Sequence, residues 1–565
     1  MRVAENERLW YVADFETTTL ATYEEEGCTR VWLWSISDPN GHIVADGYNI
    51  DEFMAWCEKH HSSLIYFHNL KFDGSFIICY LYSHQFEYCD KLLSHSSRGF
   101  STLIGDMGEF YEMKVNFAPN KQVVFRDSLK IIPLSVREIA KAFKLPMEKG
   151  KIDYSDYTIN EETLSYVHRD VQIVAMAMKF FRDKGYTRMT IGSNSYHDFQ
   201  DNGLINKGIF PRLSKEWILE WRSAYRGGRT QVNPLYAGEI LHNVNRYDIN
   251  SMYPYVLAYM PMPYGRPIEC EKGTFQFEIY DVDIHFKLKK NHLPTLLKNH
   301  SLYNKAGDTY YTDSETKINL KITSVDLMLL ERHYDIYYIK YNKIIGFKTS
   351  TVIFRQWVKN MYSLKSSAVG GLRLVYKLLL NSLYGKFGSK PEGRNKIPKF
   401  TDEGYIAWEY GDVHDMSLYY LPVALAVVSW AHKLIDDAIM EVGYENFIYC
   451  DTDSVHTYAT LPPDMVDQKE LGKFKLEATE SVSKYIRQKT YIYKDDDGWS
   501  ITCAGMPQGV KDYLISTYGE DVVNIFAYGL TIDESTPGIS PDQLRLLPKQ
   551  VKGGTILTPH PFSIR

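Results

Sequence analysis

Two pairs of carboxylates at predicted strand ends constrain this chain more than any other feature of its 565 residues. Asp14 and Glu16 sit two apart where the apolar, β-rich run Leu9–Asp14 ends. Residues i and i+2 of a strand point to one face. Asp451 and Asp453 sit at the tip of a strand-turn-strand, between Phe447-Ile448 and Val455-His456. Neighbouring carboxylates repel, and burial raises their pKa, unless a cation lies between them. Hard oxygen donors in that arrangement suit Mg2+ or Mn2+. Each pattern alone also describes a surface pair or a solvated turn. The apolar residues flanking 451–453 argue against solvation there.

Four further constellations carry chemistry. His68-Asn69-Leu70-Lys71-Phe72-Asp73-Gly74 follows a predicted strand, Ser63–Phe67. Tyr166 and Asp170 lie at i and i+4 of a predicted helix over 161–182, so they share a face able to hold a water and a metal. Tyr247-Asp248-Ile249-Asn250-Ser251-Met252-Tyr253-Pro254 puts an acid at the end of a short β run, with a tyrosine five residues on. Lys377, Asn381 and Tyr384 fall at i, i+4 and i+7 of a helix. They form one polar stripe suited to a triphosphate, a sugar and a base.

The length implies three or four domains. With 44% hydrophobic and 24% charged residues the chain is a folded globular one. No apolar run reaches the ~18 residues of a membrane span. The opening MRVAENERLW is charged where a signal peptide is apolar. The seven cysteines are scattered and lack zinc spacing, as expected of reduced thiols inside a cell. Net charge is −6, yet residues 341–400 hold twelve Lys/Arg and one acid, Glu392. Aromatics interleave with these cations, which favours a nucleic-acid channel over a merely solvated basic face.

Strands and helices alternate to about residue 185, an α/β pattern. Residues 187–235 read as a connector and 244–350 as strands with polar turns. Residues 351–387 read as helix broken at Gly370-Gly371, 391–416 as a hairpin-like insertion, and 420–442 as helix. The tail from 519 reads as turns and short strands.

Asp14-Phe15-Glu16-Thr17, the 68–74 segment and Tyr166-Val167-His168-Arg169-Asp170 resemble, in order, the three exonuclease motifs of family B DNA polymerases. Asp248–Pro254, Lys377–Phe387 and Tyr449–Ser454 resemble that family's polymerase motifs A, B and C. Tyr225-Arg226-Gly227-Gly228 resembles its YxGG linker, and Lys489-Thr490-Tyr491 its KxY motif. The spacing over essentially the whole chain is similar to the protein-primed subgroup.

The resemblance implies a multidomain α+β fold: an RNase H-like 3′–5′ exonuclease over 1–190 and a right-hand polymerase over 191–565. Within the latter it implies a palm at 191–293 and 417–518, fingers at 351–390 and a thumb at 519–565. One insertion, at 294–350, would serve a terminal protein. The other, at 391–416, would serve processivity and strand displacement. Two-metal nucleotidyl transfer with Mg2+ or Mn2+ would rest on Asp248, Asp453, the supporting Asp451 and the Ile249 carbonyl. Tyr253 would be the steric gate against a 2′-OH. Lys365, Lys377, Asn381 and Tyr384 would bind the nucleotide. Asp14, Glu16, Asp73 and Asp170 would hold two exonuclease metals, and Tyr166 would orient water. His68, Asn69, Phe72, Ser128, Leu129 and Lys149 would hold the frayed 3′ end. Tyr225, Gly227, Gly228, Arg373, Lys489 and Tyr491 would contact DNA.

The implied partners are primer-template and single-stranded DNA, dNTPs and a terminal protein, for a monomer in the cytoplasm of the host cell. Two departures stand out: Lys151 where the subgroup has an acid, and His432 where it has an arginine, which would make that contact pH-dependent. The rival readings are a stand-alone metal-dependent nuclease, a repair polymerase without protein priming, and a non-catalytic DNA-binding scaffold.

Overall fold

The structure, a computed structural model, describes residues 8–144, 157–203, 208–298 and 309–565. Lys149 and Lys151 lie outside the described residues. The first part of the chain builds an eight-stranded mixed sheet. Its order is Ile43–Gly47, Val31–Ser37, Trp10–Thr17, Leu64–Phe67, Lys121–Asp127, Phe110–Ala118, Gly99–Ile104, Glu87–Tyr88. Leu64–Phe67 runs parallel to both of its neighbours. Strand alternation decides where the carboxylates go. Ala13 and Phe15 pack among Phe53, Phe67 and Phe76 on one face. Val12 packs on the other, with Val171 and Val174 of the helix Glu161–Asp183. Asp14 and Glu16 share the face of Val12. That helix starts where Asn160 accepts from the Glu162 and Thr163 amides, one residue's cap for two orphan donors.

The expected connector over 187–235 instead contains two helices, Ile191–Asn202 and Lys215–Trp221. The first buries only Asn194, Ser195 and Phe199. A helix with so little apolar stripe has no hydrophobic period to read. Its buried hydroxyl, Ser195, donates to the Leu379 carbonyl at 2.6 Å.

The second half centres on a five-stranded antiparallel sheet in the order Phe474–Glu480, Val244–Ile249, Ser454–Thr457, Phe447–Asp451, Thr230–Val232. The helix Leu421–Val442 packs beneath it, buried along most of its length. Between motifs A and B a second sheet (Met262–Glu269, Tyr334–Ser350, Phe277–Leu288, Ile318–Thr323) carries the helix Ser324–His333. Two helices follow, Arg355–Ser367 and Gly370–Phe387. The break falls at Ala368-Val369, and the glycine pair opens the second helix. Gly371 is there for contact: a Cβ would lie 2.2 Å from the Phe143 ring.

Residues 391–416 form a hairpin, Glu392–Phe400 with Ile406–Asp415. Lys215 pins its base, reaching Glu392 at 2.7 Å and Asp415 at 2.6 Å. One side lies on the first domain: the Tyr82 hydroxyl donates to the Pro398 carbonyl at 2.7 Å, and Trp408 packs edge-on to Phe110. The tip meets a second hairpin, Arg545–Val551 with Gly554–His560, where the Gly553 amide donates to the Gly404 carbonyl at 3.4 Å. The second hairpin also rests on the first domain, through Thr29 N–H to the Lys552 carbonyl and Ser75 to Thr555. Among the described residues no helix is long and apolar enough to cross a membrane. All seven cysteines are unpaired.

Candidate active sites

The second half gathers one set of carboxylates on its five-stranded sheet. Asp248 lies in the strand Val244–Ile249 and pairs with Ser454 across the sheet. The Ile249 amide donates to the Asp453 carbonyl at 2.8 Å. Adjacent strands thus set Asp248 and Asp453 beside one another. Burial, then the charges of Asp453 and Glu477, push Asp248 up to about 7. Burial, then the charge of Asp451, also raises Asp453. Both carboxylates feel the charge of Lys377.

Across the gap the cations crowd each other in the same way. Burial, with Arg373 and Lys377 nearby, holds the Lys365 ammonium down at about 8. Lys365 donates to the Ser251 hydroxyl at 2.9 Å rather than to an acid. Lys377 and Asn381 are exposed on the stripe that the sequence indicated. Tyr384 stacks on Tyr253 with centroids 4.1 Å apart, and Tyr225 lies close to both. Two acids strained by burial and by each other thus share the gap with one lysine strained by burial and by its cationic neighbours. A divalent ion relieves the first group and a polyphosphate the second.

Asp451 is placed differently. Its two oxygens accept from Lys489 at 2.8 and 2.9 Å, and one also accepts from Thr230 at 2.9 Å and Thr452 at 3.1 Å. It braces the turn. Thr452 takes the left-handed conformation, φ +59°. Its amide donates to the Arg229 carbonyl, and its side chain fills the space that a Cβ on Gly228 would need, 2.9 Å away. Gly227 accepts from His432 at 2.8 Å. Tyr491 packs with Tyr449 and Tyr485.

The first domain gathers a second set. Glu16, Asp73, Tyr166 and Asp170 are buried. Asp73 lies against the strand Trp10–Thr17, accepting from the Phe15 amide. Burial, then the charges of Glu16 and Asp127, push it up to about 8. Asp14, His68 and Asp170 line one cavity of about 130 Å³ with Val136 of the helix Val136–Phe143. His68 bonds Ser128 at 2.9 Å and the Leu134 carbonyl at 2.7 Å. Phe72 is half-buried, tilted against Phe76. Leu129 follows in the same turn, its amide donating to Asp127 at 2.9 Å.

In neither set do three His, Cys or acidic side chains close into a cage among the described residues. Paired carboxylates with an open side still fit Mg2+, which keeps waters and takes further ligands from substrate phosphates. The raised carboxylates at both centres fit a cation for the same electrostatic reason.

Several structural partners were not legible as motifs. Asp127 merely precedes Ser128-Leu129 in the sequence. Tyr310, in the insertion, closes on Thr230: its hydroxyl accepts from the Thr230 amide at 3.0 Å and donates to the Thr230 carbonyl at 3.1 Å. Arg229 is fully buried on Asp436 at 2.8 Å. Arg226 reaches the Leu297 and Lys321 carbonyls and Asp326. One correction concerns His432. Burial holds its imidazole down at about 4, so it stays neutral and the expected pH dependence near neutrality does not arise.

The sequence profile described as DNA polymerase type B, organellar and viral, matches residues 57–158 and 155–470. The DNA polymerase of Bacillus phage phi29 is 34% identical, over 99% of this chain and 99% of its own length. That of Streptococcus phage Cp-1 is 29% identical, over 98% of each. Among solved structures, phi29 DNA polymerase superposes with a TM-score of 0.89 at 31% identity, covering 99% of this chain and 100% of that one. Its complex with primer-template DNA and incoming nucleotides superposes at 0.88.

Proposed function

We propose how labour is divided in this chain, which belongs to the type B DNA polymerases of organelles and viruses. It is a DNA-directed DNA polymerase of the phi29-like, protein-primed kind, with a 3′–5′ exonuclease. Polymerases of this family depend on a divalent metal. The observation that carries the assignment of residues is that Asp248 and Asp453, raised by burial and by neighbouring acids, share a gap with Lys365, which burial and the nearby Arg373 and Lys377 hold down.

Asp248, Asp453 and the Ile249 carbonyl hold two Mg2+ or Mn2+ ions, which supply charge stabilisation to the attacking and leaving oxygens. Lys365 and Lys377 bind the triphosphate, and Arg373 beside Lys365 contacts DNA. Asn381 and Tyr384 meet the nucleotide, and Tyr253 lies under its sugar and rejects a 2′-OH. Asp451 orients the turn through Lys489. In the exonuclease, taken as residues 1–190, Asp14, Glu16, Asp73 and Asp170 hold the metals and Tyr166 orients water. His68, Asn69, Phe72, Ser128 and Leu129 hold the unpaired 3′ end.

Residues 191–293 and 417–518 serve as palm, 351–390 as fingers and 519–565 as thumb. The insertion 294–350 receives a terminal protein whose hydroxyl starts the strand, and the hairpin 391–416 closes around DNA. The enzyme acts as a monomer in the cytoplasm of the host cell. Transfer of dAMP onto the co-expressed product of the neighbouring gene tests the protein-priming step.

Asp248→Asn and Asp453→Asn test the polymerase centre. Each lowers nucleotide incorporation on a primed template by roughly three orders of magnitude. Degradation of single-stranded DNA persists in both. Extension at the parental rate by either variant overturns the assignment.

A further inference from the structure

Two segments that hold the 3′ end in the proposed exonuclease site, 68–73 and 128–129, come from different strand ends. Something must fix them together, and one buried side chain does so. Asp127 ends the strand Lys121–Asp127, next to Phe67 in parallel register. It is 2% exposed. One oxygen, Oδ1, accepts from the Asn69 amide at 3.0 Å and from the Leu129 amide at 2.9 Å. The other, Oδ2, has Lys130 at 3.6 Å and no hydrogen bond.

The Asn69 contact matters because of its backbone. Asn69 stands at φ +80°, ψ 52°, in the left-handed region, as the residue that opens the helix Leu70–Ser83. Its side chain makes no capping hydrogen bond there. The left-handed state costs a non-glycine residue energy, though asparagine least of all. A buried acceptor on its amide selects that state. The same oxygen nucleates the turn Ser128–Lys130. That turn presents Ser128 to His68.

We propose that Asp127 is a positioning residue of the exonuclease. As a hydrogen-bond acceptor it locks Asn69 and Leu129 into one cradle for the terminal nucleotide, without itself touching the reacting atoms. The inference rests on the reading of 68–73 and 128–129 as the 3′-end site. The acceptor, not the charge, is what the geometry uses: two neutral amides converge on one oxygen. An asparagine keeps that oxygen and an alanine removes it.

The test uses the full chain and three readouts. Steady-state degradation of a single-stranded oligonucleotide separates KM from kcat. The fluorescence of a 3′-terminal 2-aminopurine, measured in a chelator, reports seating of the end base without turnover. Primer extension reports the integrity of the other centre. Asp127→Ala raises KM about tenfold, with a smaller change in kcat, and loses the 2-aminopurine signal. It extends primers normally. Asp127→Asn keeps KM, the 2-aminopurine signal and primer extension within about twofold of the parent.

Parental KM and fluorescence in Asp127→Ala overturn the proposal. So does an Asp127→Asn as impaired as the alanine variant, or extension that falls in step with degradation. Asp14→Ala with Glu16→Ala is run alongside. If that double variant still degrades DNA, the exonuclease reading itself has failed. If it is inactive while Asp127→Ala behaves as the parent, only the positioning role has failed.

Discussion

Lys365 is the proposed triphosphate ligand whose charge a small change of pH alters. Burial and two neighbouring cations hold its ammonium down at about 8, against an ordinary value of 10.5. The sign follows from which form binds a triphosphate. The charged form does, and in the free enzyme it predominates below about pH 7 and falls to half near pH 8. As pH rises through 8 the free enzyme loses that proton, and binding must first restore it. KM for dNTP is therefore flat below about pH 7, roughly doubles by pH 8 and rises by up to about tenfold per pH unit above that. Lys365→Arg, charged throughout, removes the rise. A wild-type KM flat to pH 9.5 at fixed metal concentration counts against the triphosphate role. A second residue-scale expectation concerns Tyr253, stacked on Tyr384 over the same gap. Tyr253→Val opens the space that a 2′-OH needs. The ratio of dNTP to rNTP incorporation falls by about one to two orders of magnitude; an unchanged ratio removes the steric gate.

At the scale of elements, the edge strand Thr230–Val232 ties Tyr310 to the turn that carries Asp451 and Asp453. Its pairing with Phe447–Asp451 sets Thr230 opposite Asp451, and the Thr230 hydroxyl donates to that carboxylate. On the strand's outer edge the Tyr310 phenol bonds both backbone groups of Thr230. Tyr310→Phe leaves two buried backbone groups unpartnered, at about 1–3 kcal/mol each. The expected outcome is slower nucleotide incorporation, by about tenfold, with exonuclease rates unchanged; equal losses in both activities indicate general unfolding instead. None of this was visible in the sequence, because an edge strand of three residues has no period and Tyr310 lies eighty residues from Thr230. The carboxylates were visible for the opposite reason. Asp14 and Glu16, or Asp451 and Asp453, occupy spacings that are costly without a cation, so their chemistry is local. The helix Glu161–Asp183 was legible within a residue, since its cap and apolar stripe agree. The polar helix Ile191–Asn202 was not, because its contacts with the helix Gly370–Phe387 are long-range. His432 misled because burial, not residue type, sets its protonation.

At the scale of the whole molecule, two hairpins and the first domain close on one another. The arm 391–416 is pinned at its base by Lys215, along its side by Tyr82 and Phe110, and at its tip by the Gly553 amide on Gly404. At the tip the hydrogen bond is long, 3.4 Å, and the Lys552 side chain lies against Gly404 beside it. The second hairpin is held instead by the first domain, through the Thr29 amide on the Lys552 carbonyl at 2.9 Å and Ser75 with Thr555 at 2.7 Å. Gly553 is where it is most exposed to mutation. It has φ +92°, and a Cβ there would lie 2.1 Å from the Thr29 carbonyl oxygen, a backbone atom that cannot swing away. Gly553→Val therefore lifts the second hairpin from both the arm and the first domain. A chain held on DNA by encirclement dissociates slowly because escape requires opening, and opening is what this substitution favours. With excess competitor DNA, product length from a long template falls at least about fivefold, while addition of the first nucleotide keeps its rate. Deleting 391–416 shortens products at least as much. It also halts synthesis at a duplex ahead of the primer, since the arm that would keep the displaced strand apart is gone. Full-length products from both variants under competitor challenge, with duplex still displaced, would mean that neither hairpin retains the DNA.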